Sequence, residues 1–466
     1  MLYRHIIATA IAVCSGISGM RASVTAQSPD TLHLPLDSCI AIALSDNPTI
    51  KVADLEIKRL DYSKKEVLSG LLPSIAFGAT YNRTLAKQTM YMNMGSRSEG
   101  ESSSASSSTM RNGIKVGLDN SYSMGFSASM PLIAPQLWKS LKLSDSQILE
   151  SVEKARNSRI ELVNQVKNAY YTLLLARESH SVIEESYRMA RFTAELYEKK
   201  HALGAASKYD VLRTQVAVKN VEPELTQALI AIRQASLQLQ ILMGIDTNVP
   251  IAPVATMSEY EKDMYADVIG IDRNIESNPS LRLLDIQTRQ MRDALTVKKM
   301  AWYPTLALTA NYNWTSMSNG SPLKNFRWNP YSMVGLTLSL PLFEGGGRYS
   351  SIKQAEIQVR EMGLQQENLA RSINMQVDLA IDNINLNVKQ ISSCSESVIQ
   401  AETAHSIVKQ SFEIGAASYL DLRDAELALT QSRLAYNQSI YNYLVARADL
   451  ELLLGNADIT RYTNAR

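Results

Sequence analysis

The stretch from Gln136 to Leu203 contains neither glycine nor proline. At 1.5 Å per residue, an unbroken helix through it would be on the order of 100 Å long, several times the length of an average globular helix. Few soluble domains have room for such a rod. Apolar and small residues recur along it at spacings of three and four, which is the pattern of a coiled-coil seam. The seam positions are Leu162, Val166, Ala169, Leu173, Ala176, His180, Ile183, Tyr187, Ala190, Ala194 and Tyr197.

The chain is predicted to contain two tandem structural repeats. Asn47-Pro48 recurs as Asn278-Pro279 after 231 residues, and Gly204–Ser207 recurs as Gly415–Ser418 after 211 residues. The seam also recurs in the same register after 211 residues. Its second-copy positions are Ile373, Val377, Ala380, Ile384, Asn387, Ile391, Cys394, Val398, Ala401, His405 and Val408. Residues that are equivalent by repeat are expected to be equivalent in packing.

Each repeat is predicted to form a helical hairpin. The long helices end at the repeated Gly-Ala-Ala-Ser, and shorter helices return over Tyr209–Met243 and Tyr419–Leu454. The first copy also carries a serine-rich insertion from Gly95 to Thr109, which accounts for the difference between the two repeat separations. A polar, low-complexity segment of this kind is interpreted as a flexible loop.

Four segments alternate apolar and polar residues with the period of two that marks a β-strand. One is predicted as a single strand from Ile114 to Met130, and the others lie at Ile75–Tyr81, Leu306–Trp314 and Val334–Leu340. Strands that are apolar on one face and polar on the other are typical of transmembrane barrel walls. A half-buried soluble sheet would show the same alternation, but the long helices favour the barrel.

Four strands cannot close a barrel by themselves. An open sheet edge in hydrocarbon leaves backbone groups unpaired, so other chains must complete the sheet. Two chains would give eight strands, whose interior is normally filled by side chains, whereas three give twelve and leave an aqueous lumen. The sequence therefore favours a homotrimer, with a 12-stranded barrel continued by a tunnel of antiparallel helices.

The N-terminal residues are predicted to form an export signal. Arg4 and His5 precede an apolar run from Ile6 to Val13, and Val24–Ala26 supplies a small-residue cleavage site. We therefore expect residues 1–26 to be removed on export. No later stretch reaches the roughly 18 to 20 apolar residues of a membrane-spanning helix, so strands must make any crossing.

Three groups of motifs occur in a fixed order along the mature chain. They are Leu36–Ile40 with Ala43-Leu44 and Asn47-Pro48, then Pro341–Gly347, and the Gly-Ala-Ala-Ser tips followed by Asp210–Leu212 and Asp421–Arg423. In this order they resemble the TolC-type outer-membrane efflux proteins. The resemblance covers nearly the whole mature chain.

This resemblance implies an outer-membrane barrel above a periplasmic helical tunnel, acting as a passive exit duct for small molecules such as drugs or toxic compounds. The tunnel would dock through its tips onto a periplasmic adaptor and an inner-membrane pump. Gly204, Ser207, Gly415 and Ser418 would shape the docking turns, a role compatible with plain helix capping. The strand-to-helix turns would lie at Pro131, Pro341, Gly345 and Gly346.

The resemblance also implies an acidic ring at the tunnel mouth. Asp421 and Asp424 lie three residues apart and so share a helix face. In a trimer they would form a ring of carboxylates that admits cations, with Asp210 as the first-copy counterpart of Asp421. Alternatively, Asp421 caps its helix or faces bulk water. Family members also close the mouth with a tyrosine and an arginine, where this chain has Phe412 and Ala417.

The predicted segments are the following. They are a signal peptide (1–26), an N-terminal periplasmic segment and helix (27–72), a first strand pair with an extracellular loop (73–131), a first hairpin (132–244), an equatorial linker (245–275), a helix (276–303), a second strand pair (304–341), a second hairpin (342–455) and a C-terminal tail (456–466). The linker stretch 248–253 and the termini would form a belt around the tunnel.

Other functional classes are disfavoured. The formal net charge is only +1, and no basic stripe is interleaved with aromatic residues, so nucleic acid is not an expected partner. No histidine has a metal-ligand neighbour at useful spacing, and no nucleophile, base and acid are arranged for catalysis. We therefore expect neither an enzyme nor a cofactor. The competing hypothesis is a trimeric coiled-coil surface adhesin, which leaves the strand pairs and the returning helices unexplained.

Overall fold

The computed structural model describes residues 32–90, 114–264, 273–321 and 327–455. The expected signal peptide, the serine-rich insertion and the tail 456–466 lie outside these ranges. The helices are α1 (Leu36–Asp46), α2 (Pro48–Ser69), α3 (Pro135–Ala202), α4 (Lys208–Met243), α5 (Met257–Met264), α6 (Pro279–Met300), α7 (Gly347–Glu413) and α8 (Tyr419–Leu454). The strands are β1 (Leu32–Leu34), β2 (Ser74–Arg83), β3 (Gln88–Met90), β4 (Ile114–Val116), β5 (Asn120–Ile133), β6 (Ile251–Pro253), β7 (Thr305–Ser318) and β8 (Asn329–Ser339).

Two long helical hairpins dominate this helix-rich α+β fold. Helices α3 and α7 contain 68 and 67 residues, and the returning helices α4 and α8 contain 36 each. Helix α3 packs on α4, α7 packs on α8, and the hairpins meet where α3 packs on α8. The side-by-side order of the four helices is therefore α4, α3, α8, α7. No helix in the described ranges combines the length and apolarity needed to cross a bilayer.

The hydrophobic core lies near the middle of α3 and α7, where α1 and the far ends of α4 and α8 pack against them. The seam residues Val166 and Leu173 are fully buried there, and Ile373 and Ile391 are nearly so. Burying side chains of this size contributes about 1.5 to 3 kcal/mol each. Closer to the tips most positions of the seam are only half-buried, as at Ala190, although Ala194 is buried. The repeated seam is therefore packed tightly over only part of its length.

Two Asn-Pro turns anchor the far ends of the returning helices. Asn47 Nδ2 donates to Leu242 O over 2.7 Å, and Asn278 Nδ2 donates to Leu453 O over 2.7 Å. Each side-chain oxygen also accepts a backbone N–H at the start of its own helix, α2 or α6. At Gly455 a Cβ atom would lie 2.1 Å from Ser277 O, so only glycine allows this close approach.

A four-stranded antiparallel sheet has the order β2-β5-β7-β8. Its apolar face carries an aromatic row in which the ring centroids of Phe77 and Phe126 lie 5.1 Å apart and those of Tyr312 and Trp314 lie 4.6 Å apart. The opposite face carries paired polar residues such as Ser127 and Asn311. The alternation read from the sequence thus places apolar and polar residues on separate faces.

One strand prediction is wrong. The segment Ile114–Met130 does not form a single strand, because the strand is interrupted between β4 and β5. The interruption begins at Gly117, whose φ of 107° is unfavourable for other residues. Strand β4 instead pairs with β3, apart from the main sheet. The linker also contains structure that the sequence did not predict, since β6 pairs in parallel with β1.

Candidate functional site

Each hairpin reverses at a glycine in the left-handed region of backbone space. Gly204 has a φ of 73° and Gly415 has a φ of 80°. The Ala205 amide donates to Lys200 O over 2.8 Å, and the Ala416 amide donates to Ser411 O over 2.7 Å. These bonds close the last helical turn, and a side chain at either glycine would be strained. The tips therefore fall where the sequence places them, and their docking role stays a prediction.

Both returning helices begin with a capping box. Ser418 Oγ accepts the Asp421 N–H over 3.3 Å, while the Asp421 carboxylate accepts the Ser418 N–H over 2.9 Å. Ser207 and Asp210 make the same two bonds over 3.1 and 3.2 Å. The serine hydroxyl and then its backbone N–H lower the pKa of each aspartate. Asp421 thus caps its helix, as the alternative interpretation held, and its role in a ring stays a prediction.

Asp424 lies one helical turn beyond the cap and is exposed. At 100° per residue it lies about 200° around α8 from Leu422, which is buried between α3 and α7. The acidic face of α8 is therefore opposite its packed face. The first hairpin has Arg213 at the position equivalent to Asp424, so it carries no matching acidic pair.

A cluster of rings and cations joins the two hairpins near their tips. Tyr197 of α3 contacts the Phe412 ring of α7 at 6.3 Å and the Tyr419 ring of α8 at 5.6 Å between centroids. Lys200 Nζ lies 5.1 Å from the Phe412 centroid, and Arg213 Cζ lies 5.3 Å from that of Tyr419. We call these five residues the tip cluster. Stacked cations add about 0.5 to 2 kcal/mol each, so the tip cluster holds all four helices together.

The tip cluster could not be recognised in the sequence, although aromatic residues lie within eight positions of both tip glycines. From the sequence alone, Phe412 is only a replacement for the polar latch of family members. Its actual partners, Tyr197 and Lys200, are more than 200 residues away in sequence. The rotation of one hairpin against the other decides which of these side chains meet, and no local pattern records that rotation.

An ion-pair bridge lies farther from the tips. Arg433 of α8 contacts Glu185 of α3 over 2.6 Å and Glu402 of α7 over 2.8 Å. Between this bridge and the tip cluster is a cleft of about 620 Å³ lined by α3, α7 and α8. Burial in this cleft raises the pKa of Glu426 to about 7, while nearby Lys409 lowers it slightly. Burial lowers the pKa of His405, with Lys409 and Arg433 adding to the effect.

The strand-to-helix turns agree with the predicted positions in the second copy. Pro341 lies in the connection between β8 and α7, and Gly345 and Gly346 there have φ values of 59° and 81°. In the first copy, Pro131 lies within β5 and not at the turn. The pairing register shifts between Pro131 and Ile133, and α3 begins at Pro135. A proline is tolerated there because the strand is irregular at that point.

The residues that the structure describes contain no group of three or more histidine, cysteine, aspartate or glutamate side chains placed to hold a metal ion. The polar features of the site are instead a one-sided acidic helix face, a charged and aromatic tip cluster, and a polar sheet face. Such an arrangement suits conduction of solutes past side chains.

The comparisons with known proteins agree with this geometry. The outer membrane efflux protein family matches residues 39–245 and 270–456. Outer membrane protein TolC of Vibrio cholerae serotype O1 is 22% identical over 342 residues, covering 72% of this chain and 76% of the relative. Outer membrane protein TolC of Escherichia coli strain K12 is 23% identical over 414 residues, covering 84% and 76% respectively.

A solved structure shares the fold. The Campylobacter jejuni CmeC outer membrane channel superimposes with a TM-score of 0.71 at 17% sequence identity, covering 92% of this chain and 89% of that one. Because the family match spans most of its residues, this chain belongs to the outer membrane efflux protein family and is an outer-membrane efflux channel.

Proposed function

We propose that the chain is the exit duct of a tripartite system, passing small molecules from an inner-membrane pump and a periplasmic adaptor to the outside. The observation that carries this proposal is an incomplete four-stranded sheet joined directly to helical rods about 100 Å long. The sheet suits a wall shared between chains, and the rods suit a tunnel reaching toward a periplasmic partner. The duct itself is passive, since the pump supplies the energy.

The assembled state is a homotrimer with a 12-stranded barrel. Within one chain, β2 and β8 each have one edge without a strand partner in the four-stranded sheet, an arrangement that hydrocarbon does not tolerate. Helices α4 and α7, at the two sides of the helical layer, also expose apolar side chains. At the level that α4 reaches, those on α7 include Leu379, Leu386, Ile399 and Ile407, and those on α4 include Leu212, Val216, Ile230 and Ile241. Pairing α4 of one copy with α7 of the next would cover both stripes.

The polar sheet face lines the lumen, and Asp421 and Asp424 line the tunnel mouth. Burial argues for this orientation, because the opposite face of α8 is already packed between α3 and α7. In a trimer the two aspartates make a ring of carboxylates that attracts cations. The tip cluster holds the two hairpins of each protomer together at this mouth. The glycine tips Gly204 and Gly415 meet the adaptor.

In this proposal each predicted segment has a place, although β5 runs two residues past the first strand-pair boundary, to Ile133. Segments 73–131 and 304–341 form the membrane wall, and segments 132–244 and 342–455 form the tunnel. The insertion Gly95–Thr109 faces the outside of the cell. Segment 245–275 belongs to a belt around the tunnel, supported by the parallel pairing of β1 with β6.

The test is the mass and conductance of the full mature chain purified in detergent. We expect a trimer by light scattering and a small cation-selective conductance in planar bilayers. A monomer with no conductance would contradict the duct. Protease treatment of whole cells separates the duct from the adhesin, because a duct exposes only loops such as Gly95–Thr109 and an adhesin exposes α3 and α7.

A further inference from the structure

The two hairpin tips have the same backbone. Both turn at a left-handed glycine and both start the returning helix with a Ser-Asp capping box. The N-cap serines have nearly identical φ values of −79° and −81°. Any difference in what the tips recognise must therefore come from side chains.

The charges around the two tips differ. The first tip carries basic side chains where the second tip carries neutral or acidic ones at the repeat-equivalent positions. The pairs are Lys199 and Gln410, Lys200 and Ser411, Lys208 and Tyr419, and Arg213 and Asp424. The second tip adds Glu413 where the first has Ala202. Two pairs run the other way, Glu198 matched by Lys409 and Leu212 matched by Arg423, so the first tip remains the more basic of the two.

Helix capping does not account for the lysines. Lys199 and Lys200 lie in the last turn of α3, where a cation favours the helix dipole, yet α7 ends in the same turn with no basic residue in its last turn. Lys208 is the first residue of α4, where the dipole disfavours a cation. The second tip shows that the same fold forms without these three charges.

The lysine charges are available to a partner. Lys199 and Lys208 are exposed, and among the described residues neither has a carboxylate within ion-pair distance. Lys200 is half-buried over the Tyr197 and Phe412 rings, which leaves its charge unneutralised. The first tip is thus a basic surface at the end of a rod, and the second is not.

We propose that the two tips recognise different surfaces of the adaptor, the first docking against an acidic segment and the second against a segment without that acidic character. This inference rests on the proposed function, in which the tips meet an adaptor. In a trimer the two kinds of tip would alternate around the mouth. Complementary charge would then fix the rotational register of docking, since like charges facing each other disfavour the wrong register.

The experiment is crosslinking in intact cells, with single cysteines placed at matched sites, Ala205→Cys in the first tip and Ala416→Cys in the second. Each variant is labelled with a photoactivatable maleimide, and the attached peptide is identified by mass spectrometry. The chain without an added cysteine controls for Cys39, which is buried, and for Cys394. We expect one periplasmic protein at both tips, with Asp or Glu within about one helical turn of the attachment point only at the first.

Charge variants then test whether the lysines matter. Lys199→Gln with Lys208→Tyr installs the residues found at the same positions of the second tip. We expect crosslinking from Ala205→Cys to fall about three- to tenfold, because exposed ion pairs are each worth at most about 1 kcal/mol. Crosslinking from Ala416→Cys should change less, and added salt should remove the difference between variants. Gln410→Ala, the matched neutral change, should leave both yields unaltered.

The outcomes separate this inference from the function on which it rests. Two results would overturn the charge-specific docking and leave the duct intact. One is that both tips capture the same partner peptide and that this peptide has no acidic residues near the attachment point. The other is that the crosslinking yield from Ala205→Cys is the same with and without Lys199→Gln and Lys208→Tyr. Attachment of phospholipid at the first tip would also overturn it. If neither tip captured any periplasmic protein, the proposed adaptor would be wrong as well.

Discussion

The Asn-Pro turns offer a quantitative test of how the hairpins are anchored. Asn278 is 4% exposed, and its side chain donates to Leu453 O over 2.7 Å. Its Oδ1 also accepts the N–H groups of Ser280 and Leu281 over 2.9 and 3.0 Å. Replacing Asn278 by Ala removes all three bonds, and leaves one carbonyl at the end of α8 and two N–H groups at the start of α6 without these partners.

The magnitude follows from these bonds. Losing an N-cap side chain costs about 1 kcal/mol, and leaving a buried carbonyl without a partner costs about 1 to 3 kcal/mol. We therefore expect Asn278→Ala to lower the local opening free energy by about 2 to 4 kcal/mol at the end of α8. At 1.36 kcal/mol per factor of ten, this corresponds to roughly 30- to 1,000-fold faster amide exchange.

Hydrogen exchange followed by mass spectrometry on the full chain in detergent measures this effect. Peptides from the end of α8 and the start of α6 should exchange faster in Asn278→Ala. Asn47→Ala, the matched variant, should instead affect the end of α4, because Asn47 donates to Leu242 O. The exposed Asn385→Ala serves as the control and should change neither. Equal effects of Asn47→Ala and Asn278→Ala on α8 would refute the reasoning.

Three further predictions concern the tip end of the tunnel. Asp424→Asn and Asp421→Asn should both weaken the block of the conductance by divalent cations. Only Asp421→Asn should also speed amide exchange at the start of α8, because only Asp421 forms the capping box. Unchanged block in both variants would reject the acidic ring. Phe412→Ala should increase the conductance by loosening the tip cluster, whereas Phe412→Tyr, which keeps a ring, should not. Equal conductance in the two variants would show that the tip cluster does not hold the hairpins together at the mouth. The raised pKa of Glu426, about 7 against 4.5, means that burial favours its protonated form. The contribution of Glu426 to the packing of α8 against α3 and α7 should therefore be fully present below pH 4.5 and be lost as pH rises through 7. In exchange measured across that range, Glu426→Gln should remove this component of the pH dependence.

The local features of the fold could be read from the sequence because each depends on nearby residues. The absence of glycine and proline set the length of α3, and the repeated glycines placed both tips. The prediction for Pro131 failed because the sequence does not show whether a strand ends at a proline or passes through it with a shift of register. The break at Gly117 was missed because the apolar residues keep the same alternation on both sides of it.

The sequence alone determined the helical hairpins, the two-faced strands and the family, because helix length, turn geometry and alternation are set within a few residues. The tertiary structure decided which parts of the seam are buried, the order β2-β5-β7-β8, and the partners of Tyr197, Phe412 and Arg433. Those contacts join residues that are far apart along the chain. Their formation depends on how one hairpin is rotated and shifted against the other, and that arrangement results from the packing of the whole molecule.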